Sequence, residues 1–183
     1  MFNAPFGIII EKLFETTRYM LGKVKKILPL LFIIVLISSC STSKEARGYR
    51  KIIKGNWQLQ TVVTQGIMGT IKAQLFNEAD FNCFIGSTWN FNSSNSLGSY
   101  TISKNSNECS SIKRNIRWSI YEPQGAPKEF QFKRLDDKLK EIDENSGGFR
   151  FTIVQLETNS MQLKSEFQFE GKQASFIFNF VKI

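Results

Sequence analysis

The chain contains no histidine. Histidine is the one side chain whose ordinary pKa places its charge change between pH 5 and 8, and it is the commonest metal ligand. Its absence removes the usual general base, the usual zinc centre and every Ser-His-Asp or Cys-His arrangement. Carboxylate or lysine chemistry stays open in principle, but no grouping of residues supports it. The sequence therefore predicts neither an enzyme nor a cofactor. A calcium loop is also missing. The acidic run Asp136, Asp137, Glu141, Asp143 and Glu144 lacks the Asp-x-Asp-x-Asp-Gly spacing that wraps a cation. With Arg134, Lys138 and Lys140 interspersed, it reads as a solvated loop and not as a metal site. A membrane-spanning run is absent as well. The apolar stretch from Ile27 to Ile37 is about 11 residues, where a spanning helix needs roughly 20.

That short stretch follows Lys23, Lys25 and Lys26 and runs into Ser38, Ser39 and Cys40. A cationic start, an apolar segment and small residues, in that order, make a secretory signal. Leu36-Ile37-Ser38-Ser39-Cys40 resembles the lipobox of bacterial lipoproteins. The resemblance implies that the Cys40 thiol takes a diacylglyceryl group and that Cys40 becomes the first residue after cleavage. A plain signal or an apolar anchor is the alternative. The chain then divides into a lipoprotein signal peptide at 20–39, a lipidated tether at 40–54 and one domain at 55–183. Residues 1–19 carry Glu11 and Glu15 and do not fit a signal. They read as a start assigned too far upstream of Met20, with an amphipathic cytoplasmic helix as the alternative.

Residues 1–39 hold five basic and two acidic side chains, so the remainder keeps about +5 of the formal +8. Lys44, Arg47, Arg50, Lys51 and Lys54 lie just beyond the lipid. They either face anionic headgroups or belong to a solvated tether. An exported lipoprotein meets no nucleic acid. Ser41 after Cys40 favours the outer membrane. Glu45 is the only acid between Ser41 and Lys54, which favours the periplasmic leaflet over the cell surface. Ser43 to Lys54 is expected to form a short helix, with Ser43 as its cap and Ile52 and Ile53 on the domain. In an oxidising compartment the two remaining cysteines, Cys83 and Cys109, read as a disulfide, with two free thiols as the alternative.

From Trp57 onward the apolar period is two. Eight segments alternate: about 56–64, 87–92, 98–103, 112–121, 129–135, 149–156, 160–169 and 173–182. Asn92 to Ser96 and Glu170-Gly171-Lys172 look like hairpin turns. No helical pattern separates the segments, so the strands should be antiparallel. The predicted fold is all-β, an eight-stranded up-and-down barrel in which closure removes the edges. A two-sheet sandwich is the competing fold.

Gly55-Asn56-Trp57 resembles the Gly-x-Trp motif of lipocalins and their calycin relatives. With the lipobox upstream, the chain looks like a lipocalin-like lipoprotein of the Bacteroidota type. The resemblance implies that Trp57 closes one end of the barrel and that a basic residue of the last strand, here Lys182, covers its ring. It also implies that the connections at 65–86, 104–111 and 136–148 share the opposite end. A Cys83–Cys109 bridge would staple the first two of these and add roughly 3 kcal/mol. That end, pointing away from the membrane, is where a mouth or an envelope protein partner is expected.

The inward positions are aromatic: Trp89, Phe91, Tyr100, Trp118, Phe130, Phe132, Phe151, Phe167, Phe176 and Phe178. Such side chains either line a cavity for a small apolar ligand, a lipid or fatty acid, or fill the barrel solid. Arg114 and Arg134 fall on the same inward parity. Each lies near a strand end and is expected to reach water there, the alternative being a buried arginine that meets an acidic ligand or a carboxylate partner.

Overall fold

Alternation at period two leaves each strand one apolar face, and the only way to bury eight such faces without an edge is to close them into a ring. The computed structural model describes residues 43–69, 71–143 and 147–183. In it β1 (Gly55–Gln65), β4 (Thr88–Phe91), β5 (Leu97–Ile102), β6 (Ile112–Tyr121), β7 (Glu129–Leu135), β8 (Phe149–Leu156), β9 (Ser160–Phe169) and β10 (Lys172–Lys182) make a closed antiparallel barrel. The sandwich is excluded. Neighbours in the ring follow chain order except at one seam, where β1 pairs with β10 from Trp57 opposite Lys182 to Gln65 opposite Ser175. On its other side β1 pairs with β4, from Gly55 opposite Phe91 to Gln58 opposite Thr88. Beyond that point β1 leaves β4, and a register shift between Leu59 and Thr61 marks the bend.

The turns follow from their residues. Glu170 and Gly171 both have positive φ, 50° and 75°, as a tight two-residue hairpin turn requires. In the β4–β5 turn the Asn92 Oδ1 accepts the Ser94 backbone N–H at 3.0 Å, the local side-chain bond for which asparagine is favoured in turns.

Helix α1 (Lys44–Ile53) precedes β1. The Ser43 Oγ accepts the Ala46 N–H at 2.9 Å, so the expected cap is present. Ala46 and Ile53 are buried, and Arg50 and Lys51 lie in the last turn, where cations suit the helix dipole. The compact unit comprises Ser43–Ile183. The lipobox, Cys40 and the signal segment lie outside the described residues. Among the described residues no helix is long and apolar enough to cross a membrane.

Candidate functional site

The α1 end is closed by contacts that α1 makes with β1, with the end of β10 and with the β4–β5 turn. Trp57, fully buried, donates its indole N–H to the Ile53 carbonyl at 2.7 Å. The Lys182 ammonium lies 5.1 Å from the centre of the Trp57 ring and donates to the Ile52 carbonyl at 2.8 Å. This is the cation–π cover that the Gly-x-Trp resemblance implied. Gly55 has φ +122°, and a Cβ there would come within 3.2 Å of the Lys182 Cε, so the glycine has a steric reason. Arg50 reaches down from α1. It donates to the Ser93 carbonyl at 2.6 Å and lies 4.7 Å over the Trp118 ring. Trp118 therefore belongs to this closed end, as does Phe130 stacked on it at 5.9 Å.

At the opposite end the long β1–β4 connection is not a simple surface loop. It contains a hairpin, β2 (Gln74–Leu75) and β3 (Ala79–Asp80), followed by a one-turn helix α2 (Phe81–Phe84). The Glu78 N–H closes the tip onto the Leu75 carbonyl at 3.0 Å. Phe76 and Asn77 at the tip both have φ 54°. Asparagine tolerates this region; for a bulky residue it is a true outlier that the surroundings must hold in place.

Those surroundings are the barrel interior. The Phe76 ring sits 5.1 Å from Phe132 and Phe149, 5.9 Å from Phe151, 6.0 Å from Trp89 and 6.4 Å from Phe178. Edge-to-face contacts dominate, the arrangement that the ring quadrupoles favour. Trp89, Tyr100, Phe132, Phe151 and Phe178, expected as lining, thus pack on Phe76, and Phe91 packs on Trp89. The space left among the interior rings is about 10 Å³, no more than one water needs. Of the two alternatives for these side chains, this packing matches the filled barrel. The barrel is filled by its own side chains, because a hairpin tip with no strand period enters it.

A larger space lies beside the tip. A cleft of about 350 Å³ runs between the hairpin and β8–β10, walled by Leu75, Phe76, Phe149, Phe151, Phe176 and Phe178, with Phe167, Gln74, Asn77 and Arg150 also lining it. Phe167 stacks on Phe176 at 4.7 Å, and of the expected inward aromatics these two line this cleft without lining the packed centre.

The second residue of the tip that matters is Glu78. Its side chain is 4% exposed. Oε1 accepts from the Arg114 Nε and lies 3.1 Å from the Arg134 Nη1, while Oε2 accepts from the Tyr100 hydroxyl. Arg134 also makes a two-point pair with Asp143, with its Nε 2.7 Å from Oδ2 and its Nη2 bonded to Oδ1. The strand-end expectation therefore fails for Arg134, which is buried on carboxylates, and holds in part for Arg114, which pairs with Glu78 while its side chain stays 30% exposed. The solvated-loop expectation for the acidic run fails at Asp143 alone among its described residues; 137–140 are exposed and Asp136 and Glu141 are partly so. Asp143 is buried on Arg134. Glu141 pairs with Lys133 at 2.7 Å. The Asp136 Oδ1 accepts the N–H groups of Lys138 and Lys140, each at 2.8 Å. Asp137 is exposed, and Glu144 lies outside the described residues.

The titrations reflect this burial. The Tyr100 hydroxyl is pushed far above its ordinary value of 10.0, first by burial and then by its bond to Glu78, so it stays a donor. The Arg134 hydrogen bond holds the Asp143 carboxyl below its usual range, and the same bond raises Arg134. Among the described residues no group of three or more carboxylates and cysteines is placed to hold a metal ion.

Cys83 and Cys109 are joined in a disulfide, with their Cα atoms 5.5 Å apart. It ties α2 to the β5–β6 connection. The β7–β8 connection arrives at the same end through Asp143, so the three connections expected together do meet. Phe76 and Glu78 were not singled out from the sequence. The available signal was the pair Leu75-Phe76 with an acid two residues on, but Ile67, Ile71, Phe81, Phe84 and Ile85 in the same connection mask it.

No protein-family model and no curated protein matches the sequence. Among solved structures, the chain is similar to a lipocalin-like protein from Bacteroides uniformis ATCC 8492, at 14% identity over 72% of this chain and 99% of that one, with a TM-score of 0.40.

Proposed function

We propose that this chain is a non-catalytic binding barrel, held at the periplasmic face of the outer membrane by lipid on Cys40, that takes a small apolar ligand at the end away from α1. The observation that carries this reading is the aromatic cleft of about 350 Å³ beside Phe76. Sites for small molecules span roughly 300–1,000 Å³ and are mostly apolar with a few polar groups at the edge. Here Arg150, Gln74 and Asn77 supply those groups. The exposed cations Lys44, Arg47, Lys51 and Lys54 on and beside α1 suit a surface facing anionic headgroups, at about 1 kcal/mol each near a membrane. Arg50 is excluded from that set, because it is committed to Ser93 and Trp118.

A second reading is favoured by the interior void of about 10 Å³. In it the barrel is permanently packed and presents its stapled connections to an envelope protein. Native mass spectrometry of the protein purified from the envelope separates the two. A stoichiometric added mass of lipid size is expected under the first reading. A clean mass with no uptake from an added lipid mixture supports the second.

A further inference from the structure

We infer that the ligand is an amphiphile carrying one carboxylate on an apolar body, and that the β2–β3 tip occupies its place: Phe76 stands where the apolar body goes, and Glu78 sits on the arginines that would receive the carboxylate. This rests on the binding-barrel reading above. The tip has the form of such a molecule. An aromatic ring and a carboxylate lie two residues apart, the ring among Phe132, Phe149 and Phe151, the acid between Arg114, Arg134 and Tyr100.

The receiving groups and the occupying groups belong to different kinds of structure. Tyr100, Arg114 and Arg134 are on β5, β6 and β7, strands locked into the closed ring. Glu78 is on a hairpin whose strands are two residues each. Charge fixes the ligand's valence. Among the described residues Asp143 pairs with Arg134, so the remaining cation, Arg114, balances one negative charge, which Glu78 now supplies. A ligand carboxylate that replaces Glu78 meets the same three donors, and charge-assisted bonds of this type are the strong ones. The exchange conserves charge and hydrogen bonds. A neutral ligand would leave the arginines with Glu78 and gain nothing from them.

Two further features allow the exchange. The tip is held at φ 54° on Phe76, a conformation that a phenylalanine leaves readily once its contacts are replaced. The base stays fixed, because the Phe81 N–H bonds the Ala73 carbonyl at 3.0 Å and Cys83 is tied to Cys109. The tip can therefore swing without unfolding α2. The vacated volume then joins the cleft along β8–β10, where Phe167 and Phe176 extend the apolar wall.

The test titrates the full-length protein with dodecanoate and with dodecanol, which share a chain and differ in charge, following native mass and tryptophan emission. Glu78→Gln is expected to raise dodecanoate affinity at least tenfold over wild type, and dodecanol affinity by much less. Adding Arg114→Gln should erase the preference. Arg114 is only partly buried, so Arg114→Gln alone decides the matter if Glu78→Gln does not fold: it should lower the dodecanoate-to-dodecanol affinity ratio about tenfold. If both probes bind and gain equally in Glu78→Gln, or if the ratio ignores Arg114, the carboxylate place is wrong while the binding barrel stands. If neither probe binds any variant, the binding reading itself fails.

Discussion

At the α1 end the barrel is stopped by groups close in the chain or at its seam. Ile53 and Trp57 are four residues apart and share one hydrogen bond, and Lys182 lies opposite Trp57 in the β1–β10 ladder. Lys182 and Arg50 each sit there over a ring and on a main-chain carbonyl. At the far end the stop is a hairpin tip from a long connection, held by carboxylates on guanidiniums and by a disulfide at its base. The first closure has little a solute could substitute. In the second, each side chain of the tip has a small-molecule equivalent. Burial of large rings gives permanence, and paired charges at a rim give exchangeability.

Variants and conditions should separate the two ends. Trp57→Ala is expected to cost most, about 3–5 kcal/mol, and should lower the urea midpoint of the whole domain cooperatively. If only part of the protein loosened, the α1 end would not be the permanent one. Replacing Cys83 and Cys109 by serine should cost about 3 kcal/mol through the longer-lived freedom of the unfolded chain. Hydrogen exchange should then rise first in residues 74–84, ahead of the Trp57–Lys182 pairing. Glu78→Gln should cost about 1–2 kcal/mol, less than a fully buried pair, because the side chain of Arg114 is 30% exposed and water can take over part of its solvation.

Acid offers a smaller handle on the same end. The Asp143 carboxyl is depressed in the folded state by Arg134. The stability it contributes is therefore fully present above its ordinary value of 3.8 and is lost as pH falls through the lowered one. Asp143→Asn should flatten the stability profile in that acid range and leave the neutral range parallel to wild type, as read by denaturant midpoints at several pH values. Lys182→Met should have the least effect, under about 1 kcal/mol, since a single cation–π contact and one hydrogen bond to a carbonyl are removed while the Trp57 indole stays bonded to Ile53.

Much of this was legible in the sequence, and for physical reasons. Four strands, 112–121, 129–135, 149–156 and 160–169, have the bounds that alternation alone gives, and the other four differ by a residue at one or both ends. A half-buried strand writes its period into the chain. Ser43 announced its helix because a hydroxyl caps the first turn, and Gly55-Asn56-Trp57 announced the start of β1, where Lys182 crowds a Cβ at Gly55. The β2–β3 tip wrote nothing comparable. Strands of two residues have no period, and a phenylalanine at positive φ contradicts its own local preference, so only its tertiary neighbours specify it. The same gap explains Arg114 and Arg134. Their inward parity was visible, but Glu78 and Asp143, which satisfy them, come from connections without a repeating pattern.

The seam between β1 and β10 sets the order of events when the chain folds. Most other neighbours in the ring are joined by short connections, so those pairings form with little loop-closure cost. Trp57 and Lys182 must meet across nearly the whole folded sequence, and their strands make eight registered pairs. Non-local pairing of this kind is entropically expensive before it is rewarded, and barrels dominated by it fold in roughly milliseconds to seconds. The ring is therefore expected to form as a line of hairpins that closes into a cylinder late, at the β1–β10 seam. Contacts confined to the seam, such as the Asn179 amide donating to the Thr61 hydroxyl at 2.9 Å, should govern how fast the cylinder opens more than how fast it forms.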